Sequence, residues 1–156
     1  MIIHAEPLVG AAFEPFGDII EASRTRNDLF EINSGYATRH HALATIDCDD
    51  AAAISIFEAR RRPLLVRMLE RHPRSSQAFM PLDGGDWLVV VADEPEPDCC
   101  RAFLCKGWQG VSLRRGTWHH PLLILDRKQS FLVVDREETS SNLEEILFES
   151  ECGISL

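Results

Sequence analysis

Four side chains with acid, base or metal-binding character stand at regular intervals in two short stretches of the chain. Glu70, His72 and Gln77 occur in an apolar, strand-forming stretch, and His119 follows Gly116 well downstream. In an extended segment successive side chains point to opposite faces, so Glu70 and His72 point the same way and can reach one ion or one substrate together. The spacing therefore predicts a site as well as a core.

The spacing resembles the two-part motif of the cupin barrels, H-x-H-x(3,4)-E-x(6)-G followed later by G-x-x-H. Glu70 takes the first His place, His72 the second, Gln77 the Glu place and His119 the last, with Gly84 as the glycine of the first part. Two imidazoles, a carboxylate and an amide oxygen make an open site for a divalent transition metal. Glu70 and Gln77 change the charge and softness of the usual ligands. The alternative for any single histidine is a hydrogen-bonded wall residue.

A substrate that carries a carboxylate needs a cationic partner, and the planar fork of arginine matches its two oxygens. Arg39, Arg71 and Arg136 are the candidates, and the alternative for each is a solvated residue. The basic run at 60–62 precedes Pro63 and is expected to form a solvated turn.

Adjacent histidines cannot share a face in an extended segment. His119 fits the motif, so we expect His120 to lie behind the site or at an interface. His40 and His41 follow Arg39, and the same alternation allows one side of that segment to enter the site.

About ten short strands separated by turn signals, with almost no helical periodicity, favour an all-β fold. We expect an antiparallel cupin-like β-barrel with short helical segments. Individual expectations include strands over 66–72 and 87–92, another over 41–46, a surface loop over 22–28 and a polar hairpin turn over 126–129. The tail after Ser141 is expected to form a short helix or a last edge strand.

Composition limits the classes of protein that need to be considered. The 156 residues suit one domain, 1–156, and a hydrophobic content of 45% with 26% charged residues is typical of a soluble globular protein. A net charge of −9 argues against binding to nucleic acid, and no apolar run is long enough for a membrane helix. Five cysteines, an odd number without metal or redox spacing, favour reduced thiols. With no secretory signal recognised, a cytoplasmic location is expected.

Several runs of residues together resemble the ureidoglycolate lyase family of allantoin breakdown. They are FEPFGDIIE at 13–21, INSG at 32–35, LERHP at 69–73, QAFMP at 77–81, GV at 110–111, WHHPL at 118–122 and FLVVDR at 131–136. The resemblance runs in order through almost the whole chain. It implies a cytoplasmic homodimeric barrel that splits (S)-ureidoglycolate into glyoxylate and urea, and a divalent metal, with nickel as the suggested ion.

These residues suit that chemistry, because eliminating urea from a carbinolamide requires a proton to leave the hydroxyl and another to reach the leaving nitrogen. Catalytic roles are assigned to Glu70, His72 and His119, metal ligation to these three with Gln77, and substrate binding to Arg39, Arg71 and Gln77. Without a metal, Glu70 or a histidine is the base. The rival functions are an amidohydrolase that releases ammonia and carbon dioxide from ureidoglycolate, and a non-catalytic module that binds a small carboxylate.

Overall fold

A computed structural model describes residues 1–23 and 28–156 of the chain. The strands of this part are β1 Ile2–Pro7, β2 Gly17–Ile20, β3 Leu29–Ile32, β4 Ala37–His40, β5 Ala52–Arg60, β6 Leu65–Arg71, β7 Gln77–Pro81, β8 Trp87–Ala92, β9 Cys100–Cys105, β10 Gly110–Leu113, β11 Trp118–His119, β12 Leu123–Ile124, β13 Lys128–Arg136 and β14 Glu144–Ser155. One helical turn, α1 Gly10–Phe13, and two 3-10 turns, Asn33–Gly35 and Pro97–Cys99, accompany them. Among the described residues no helix has the length and apolar character needed to cross a membrane.

The larger sheet closes on itself. Its order is β11-β6-β14-β1-β9-β8-β12, and β11 also pairs with β8, which joins the two sides of the sheet. The prediction of an all-β barrel with short helical segments is confirmed, and the barrel is mixed, not purely antiparallel. Strand β1 lies parallel to both β14 and β9, because it reaches these neighbours through long connections, which leave either direction open.

A second sheet of five strands, β2-β10-β7-β13-β5, forms the other wall of the core. Strand β8 is buried along its whole length. Trp87, Val89 and Val91 belong to the apolar cluster that also contains residues of the second sheet, while Leu88 and Val90 belong to a second cluster. An uninterrupted apolar run, WLVVVA, is what a strand buried on both faces requires. The central position predicted for 87–92 is therefore confirmed.

Three predictions from the sequence are wrong, because a turn or a strand pairing in the folded chain differs from what the local residues suggest. The strand expected over 41–46 is absent, because β4 ends at His40 and Ala42 turns the chain at a φ of 47°. The tail forms neither a helix nor an edge strand, since β14 lies between β6 and β1 and gives hydrogen bonds to both. The turn over 126–129 does not close a hairpin, because β12 pairs with β8. Residues 24–27 of the expected surface loop lie outside the described residues.

Candidate active site

Strands β6 and β11 place a carboxylate and an imidazole side by side. The two strands are antiparallel, with Glu70 directly opposite His119. His72 follows the end of β6 and lies on the same side as Glu70, as the period of two requires. Pro73 ends the pairing because it has no N–H to donate, and the chain turns there toward β7 in the other sheet. The site therefore lies where the chain passes between sheets.

A glycine turn ties the two halves of the motif together. Gly116 has a φ of 75°, which a residue with a side chain adopts only at a cost. Its N–H donates a hydrogen bond of 2.9 Å to the main-chain carbonyl of His72. The turn before β11 is thus anchored to the residue after β6, and this contact sets the position of His119 relative to His72.

Glu70, His72 and His119 converge closely enough to hold one ion. One ligand atom from each lies within 4.8 Å of the others. His119 Nε2 lies 3.5 Å from Glu70 Oε1, and the His72 and His119 rings have centroids 5.2 Å apart at an angle of 47°. Strand pairing and local alternation have brought together three residues that are up to 49 positions apart in sequence.

Both site histidines use Nδ1 to bind the main chain and leave Nε2 free. The Nδ1–H of His72 donates to the carbonyl of Asn142 at 2.7 Å, and that of His119 donates to the carbonyl of Thr117 at 2.9 Å. Each Nε2 is buried and has no hydrogen-bond partner in the described part of the chain. A carbonyl can only accept, so each Nδ1 carries a proton and Nε2 is the nitrogen that can bind a metal ion or exchange a proton.

Gln77 approaches from the opposite sheet. Its Nε2 donates to Asp135 Oδ2 at 3.1 Å, while its buried Oε1 has no partner in the described residues. Asp135 therefore orients the amide and leaves the oxygen as a free acceptor or ligand.

The carboxyl of Glu70 is ionised at neutral pH. Its partial burial disfavours the charged form, but the His119 imidazole 3.5 Å away, and the attraction of the site histidines when they are protonated, outweigh burial and lower the pKa of Glu70. His120 is buried behind the site, and desolvation lowers its pKa to about 4. Its Nδ1–H donates to the Pro121 carbonyl at 2.7 Å, so His120 is a neutral residue of the interior.

Two adjoining cavities open onto these groups. The larger, of about 440 Å³, is lined by Phe57, Arg60, Arg62, Glu70, Gln77 and Phe79 among others. The smaller, of about 260 Å³, is lined by His72, Asp135, Arg136, Asn142 and Leu143, and shares Phe57, Glu70 and Gln77 with the larger. Glu70 and Gln77 therefore face space that can hold a small molecule.

The three arginines expected to hold a carboxylate are engaged elsewhere. Arg39 is exposed on β4, with its guanidinium 5.9 Å from the Phe30 ring, and it lines neither cavity. Arg71 points away from Glu70 and stacks 4.6 Å from the Trp118 ring while it pairs with Glu144 at 2.5 Å.

Arg136 lines the smaller cavity, but four of its five N–H donors are already used. It is only 5% exposed and donates to the carbonyls of Asp49, Glu138 and Ser140 and to the carboxylate of Asp50. This guanidinium holds the surrounding loops in place.

Comparison with known proteins gives the family. The family model described as ureidoglycolate lyase matches residues 1–155. The chain is 50% identical to the ureidoglycolate lyase of Pseudomonas aeruginosa, over 92% of this chain and 88% of that protein. It is 48% identical to the ureidoglycolate lyase of Azotobacter vinelandii, over 94% and 92%. The chain belongs to the ureidoglycolate lyase family. The members of this family are enzymes of the lyase class.

Solved structures resemble this member of the ureidoglycolate lyase family over part of its length. RmlC from Streptococcus suis is 17% identical with a TM-score of 0.44, over 56% of this chain and 44% of that chain. Oxalate decarboxylase from Lactobacillus farciminis is 17% identical with a TM-score of 0.42, over 62% and 26%.

The donor set of this ureidoglycolate lyase family member fits a divalent transition metal. Two imidazole Nε2 atoms, a carboxylate and the Gln77 oxygen are of the types that such ions bind, and three of these four atoms are buried without partners in the described residues. Buried polar atoms are normally hydrogen-bonded, and binding of one metal ion by all three atoms would account for these exceptions.

Sequence reasoning missed the residues that orient the site and those at its rim. Asn142 and Asp135 hold His72 and Gln77, and no local signal identifies such long-range partners. The sequence predicts a solvated turn at Arg60 and Arg62, because the alternating pattern of β5 ends at Ala59. The strand continues to Arg60, and both side chains line the larger cavity.

Proposed function

We propose that this chain is a ureidoglycolate lyase that cleaves (S)-ureidoglycolate into glyoxylate and urea. The observation that carries the proposal is the convergence of Glu70, His72 and His119, with free Nε2 atoms and an ionised carboxylate, beside two cavities. Membership of the ureidoglycolate lyase family supplies the substrate. A carboxyl and two imidazoles are the groups that proton transfer to and from a carbinolamide requires.

The reaction breaks one carbon–nitrogen bond and consumes no water. The hydroxyl of ureidoglycolate loses its proton, its oxygen becomes the aldehyde oxygen of glyoxylate, and the electron pair of the breaking bond goes to the urea nitrogen. That nitrogen takes up one proton. A single group that accepts the first proton and returns it to nitrogen completes the reaction.

Where no metal is bound, Glu70 is the group we assign to this transfer. Its carboxylate is ionised, Oε1 lies against His119, and Oε2 has no hydrogen bond to any described residue. Oε2 accepts the hydroxyl proton and delivers it to the leaving urea nitrogen. Gln77 lies across the cavity from Glu70, and its free Oε1 can accept a hydrogen bond from a urea N–H.

We also propose a divalent metal held by Glu70, His72 and His119 with Gln77, and nickel is the first ion to test. When bound, such an ion acts as a Lewis acid that lowers the pKa of a hydroxyl group. Asn142 and Thr117 support this role because their carbonyls orient the two imidazole rings.

The deciding experiment measures urea, ammonia and glyoxylate separately from purified protein supplied with ureidoglycolate, before and after chelation, with metal content determined on the same sample. We expect urea and glyoxylate in equal amounts and loss of activity on chelation. Ammonia without urea would identify the amidohydrolase instead. Glyoxylate binding without turnover would identify a binding module, and full activity in a metal-free sample would refute the metal while leaving the lyase.

We infer that the enzyme is a homodimer formed through the outer face of the five-stranded sheet. On three neighbouring strands, residues in register present apolar side chains to the outside, and Ile54 and Ile56 at the edge are 72% and 57% exposed. The face consists of Ile54, Ile56, Ala78, Met80, Leu132 and Val134. A contiguous exposed apolar face of this kind marks an interaction surface.

We propose that residues 1–156 form one domain, supported by the pairing of Ile2 with Gly153, which joins both ends of the chain in one sheet. A cytoplasmic location is also proposed. All five cysteines are unpaired, and burial raises the pKa of the Cys100 thiol to about 12, which suits a reducing compartment.

A further inference from the structure

Two of the three arginines at 60–62 line the larger cavity, and the arginine between them does not. Arg60 ends β5, and Arg60 and Arg62 both line the larger cavity together with Glu70. Arg61, between them, does not line that cavity, and its main-chain N–H donates to the carbonyl of Arg127 at 3.1 Å.

The two cavity-lining guanidinium groups are free to bind a ligand. Within residues 1–23 and 28–156, neither Arg60 nor Arg62 forms a side-chain hydrogen bond or an ion pair. The other arginines near the site differ, since Arg71 pairs with Glu144 and Arg136 is held by loop carbonyls. Arg60 and Arg62 are therefore the available cations beside Glu70.

The charges of the larger cavity show what these cations do. Glu58 and Glu70 both line it, and on their own they would repel an anion. Arg60 and Arg62 bring two positive charges to the same cavity and offset these two negative charges. An anionic group that pairs with the arginines can then enter, and Phe57 and Phe79 offer apolar wall to the rest of the substrate.

We propose that Arg60 and Arg62 bind the carboxylate of the substrate and so hold the carbinol carbon against Glu70. This inference rests on the proposed lyase activity. Two forked guanidinium groups supply the paired N–H donors that a carboxylate accepts. The expected role is substrate positioning, in place of the roles first considered for Arg39, Arg71 and Arg136.

The three consecutive arginines provide their own control. Arg60→Gln and Arg62→Gln should each raise the KM for ureidoglycolate by about 10-fold to 100-fold, the usual range for loss of a hydrogen bond to a charged group. The double variant should raise it further, with a smaller effect on kcat. Arg61→Gln should match the unchanged protein. Equal KM values for the double variant and the unchanged protein, or an equal rise for Arg61→Gln, would overturn the proposal.

A substrate without the carboxylate distinguishes loss of carboxylate binding from general damage to the site. N-(hydroxymethyl)urea is a carbinolamide that lacks this group, so the double variant should process it at the same slow rate as the unchanged protein. A loss of this activity comparable to the loss with ureidoglycolate would show that the arginines support the fold or the base instead.

Calorimetry with glyoxylate distinguishes failure of this inference from failure of the lyase proposal. Binding should be present in the unchanged protein and in Arg61→Gln, and weaker by about 10-fold or more in the double variant. This result would support the clamp even if ureidoglycolate were not turned over. Absent binding in the unchanged protein, or equal binding in all variants, would reject it.

Discussion

The ring orientation of each site histidine depends on a main-chain carbonyl. His72 is held by Asn142 and His119 by Thr117, and neither partner titrates. Each ring therefore presents Nδ1 to the main chain and Nε2 to the site, and the rings need no second acidic residue to orient them. Asn142 is itself fixed, because its side chain accepts from the Arg74 N–H and donates to Ser75 Oγ.

Replacing His72 or His119 by Ala should lower kcat/KM by about 100-fold or more, the usual scale for acid–base groups. Metal content per chain should fall in the same variants, since each supplies one Nε2. The measurements are steady-state kinetics with the urea assay and elemental analysis of the purified variants. His4→Ala, on β1 with its Nδ1 at 2.7 Å from Ser155 Oγ, is the control. A change of only a few-fold in either site variant would place that histidine among the structural residues.

Two turns hold the site at the scale of secondary structure. The first is the Gly116 turn, which places β11 against β6 and bonds to the His72 carbonyl. The second is the turn after His72, which is strapped by the segment at 47–50. Ser76 N–H donates to the Asp47 carbonyl at 2.7 Å, and Asp49 N–H donates to the Arg74 carbonyl at 2.9 Å. Catalytic geometry thus depends on loops that are fixed by long-range contacts.

Gly116→Ala should lower the free energy of unfolding by about 1–2 kcal/mol, because a side chain is disfavoured at a φ of 75°. Activity should fall as well, since His119 follows directly in β11. Urea denaturation followed by fluorescence measures the stability. Gly10→Ala is the matched control, because Gly10 begins α1 at an ordinary φ and has open space around its Cβ position. Unchanged stability in Gly116→Ala would contradict the importance of this turn.

The carboxylates of Asp47 and Asp49, in the segment at 47–50, predict that the stability of the protein depends on pH. Arg115 donates to Asp47 at 2.6 Å and to Asp49 at 2.8 Å, and hydrogen bonding to Arg115 lowers the pKa of both carboxyl groups. A lowered folded-state pKa contributes stability above the unfolded value of about 4, and this is lost as the pH falls through the folded pKa.

Arg115→Gln should therefore lower Tm at pH 7, and this difference should shrink as the pH falls below about 4 and through the lowered folded-state pKa of the two carboxyl groups. Thermal melts of the variant and the unchanged protein across this range provide the measurement. Arg67→Gln, which removes one exposed pair with Glu151, should show a smaller difference at pH 7. A Tm difference for Arg115→Gln that is the same at every pH from 7 to the acid limit of folding would exclude the ion pairs as its cause.

At the scale of the whole molecule, the two sheets have different environments. The closed sheet surrounds its own apolar cluster and shares β8 with the core between the sheets, so both faces of β8 are covered. The five-stranded sheet covers the core with one face and exposes an apolar outer face at β5, β13 and β7. The edge strand β5 also carries Phe57 and Arg60 of the larger cavity, so the proposed interface and the site share one element.

Ile56→Asp should shift the protein from dimer to monomer, because a charge placed on the apolar face would be buried in the interface without a partner. Sedimentation velocity over a range of concentrations measures the change. Val9→Asp is the control, since Val9 is a similarly exposed apolar residue at the start of α1, outside the five-stranded sheet. A monomeric unchanged protein, or an unaltered dimer in Ile56→Asp, would contradict the proposed interface.

Much of the barrel could be predicted because its strands are short, apolar and separated by turns that the sequence marks. The errors came where non-local contacts decided the outcome. The tail has Ser141 and Asn142, which are favoured at helix starts, but the Asn142 side chain binds Arg74 and Ser75 and leaves the following residues to pair with β6 and β1. Pairing with two strands outweighed the local preference.

The sequence by itself determined that Glu70 and His72 share a face, because strand alternation is a property of the local backbone, and the motif spacing selected His119 over His120. Its motifs also identified the ureidoglycolate lyase family. Only the tertiary structure decided which histidine nitrogen is free, which carboxamide oxygen faces the site, and that Arg60 and Arg62, not Arg39 or Arg71, line the cavity. These features depend on partners far away in the chain, and strand pairing in three dimensions is what brings those partners together.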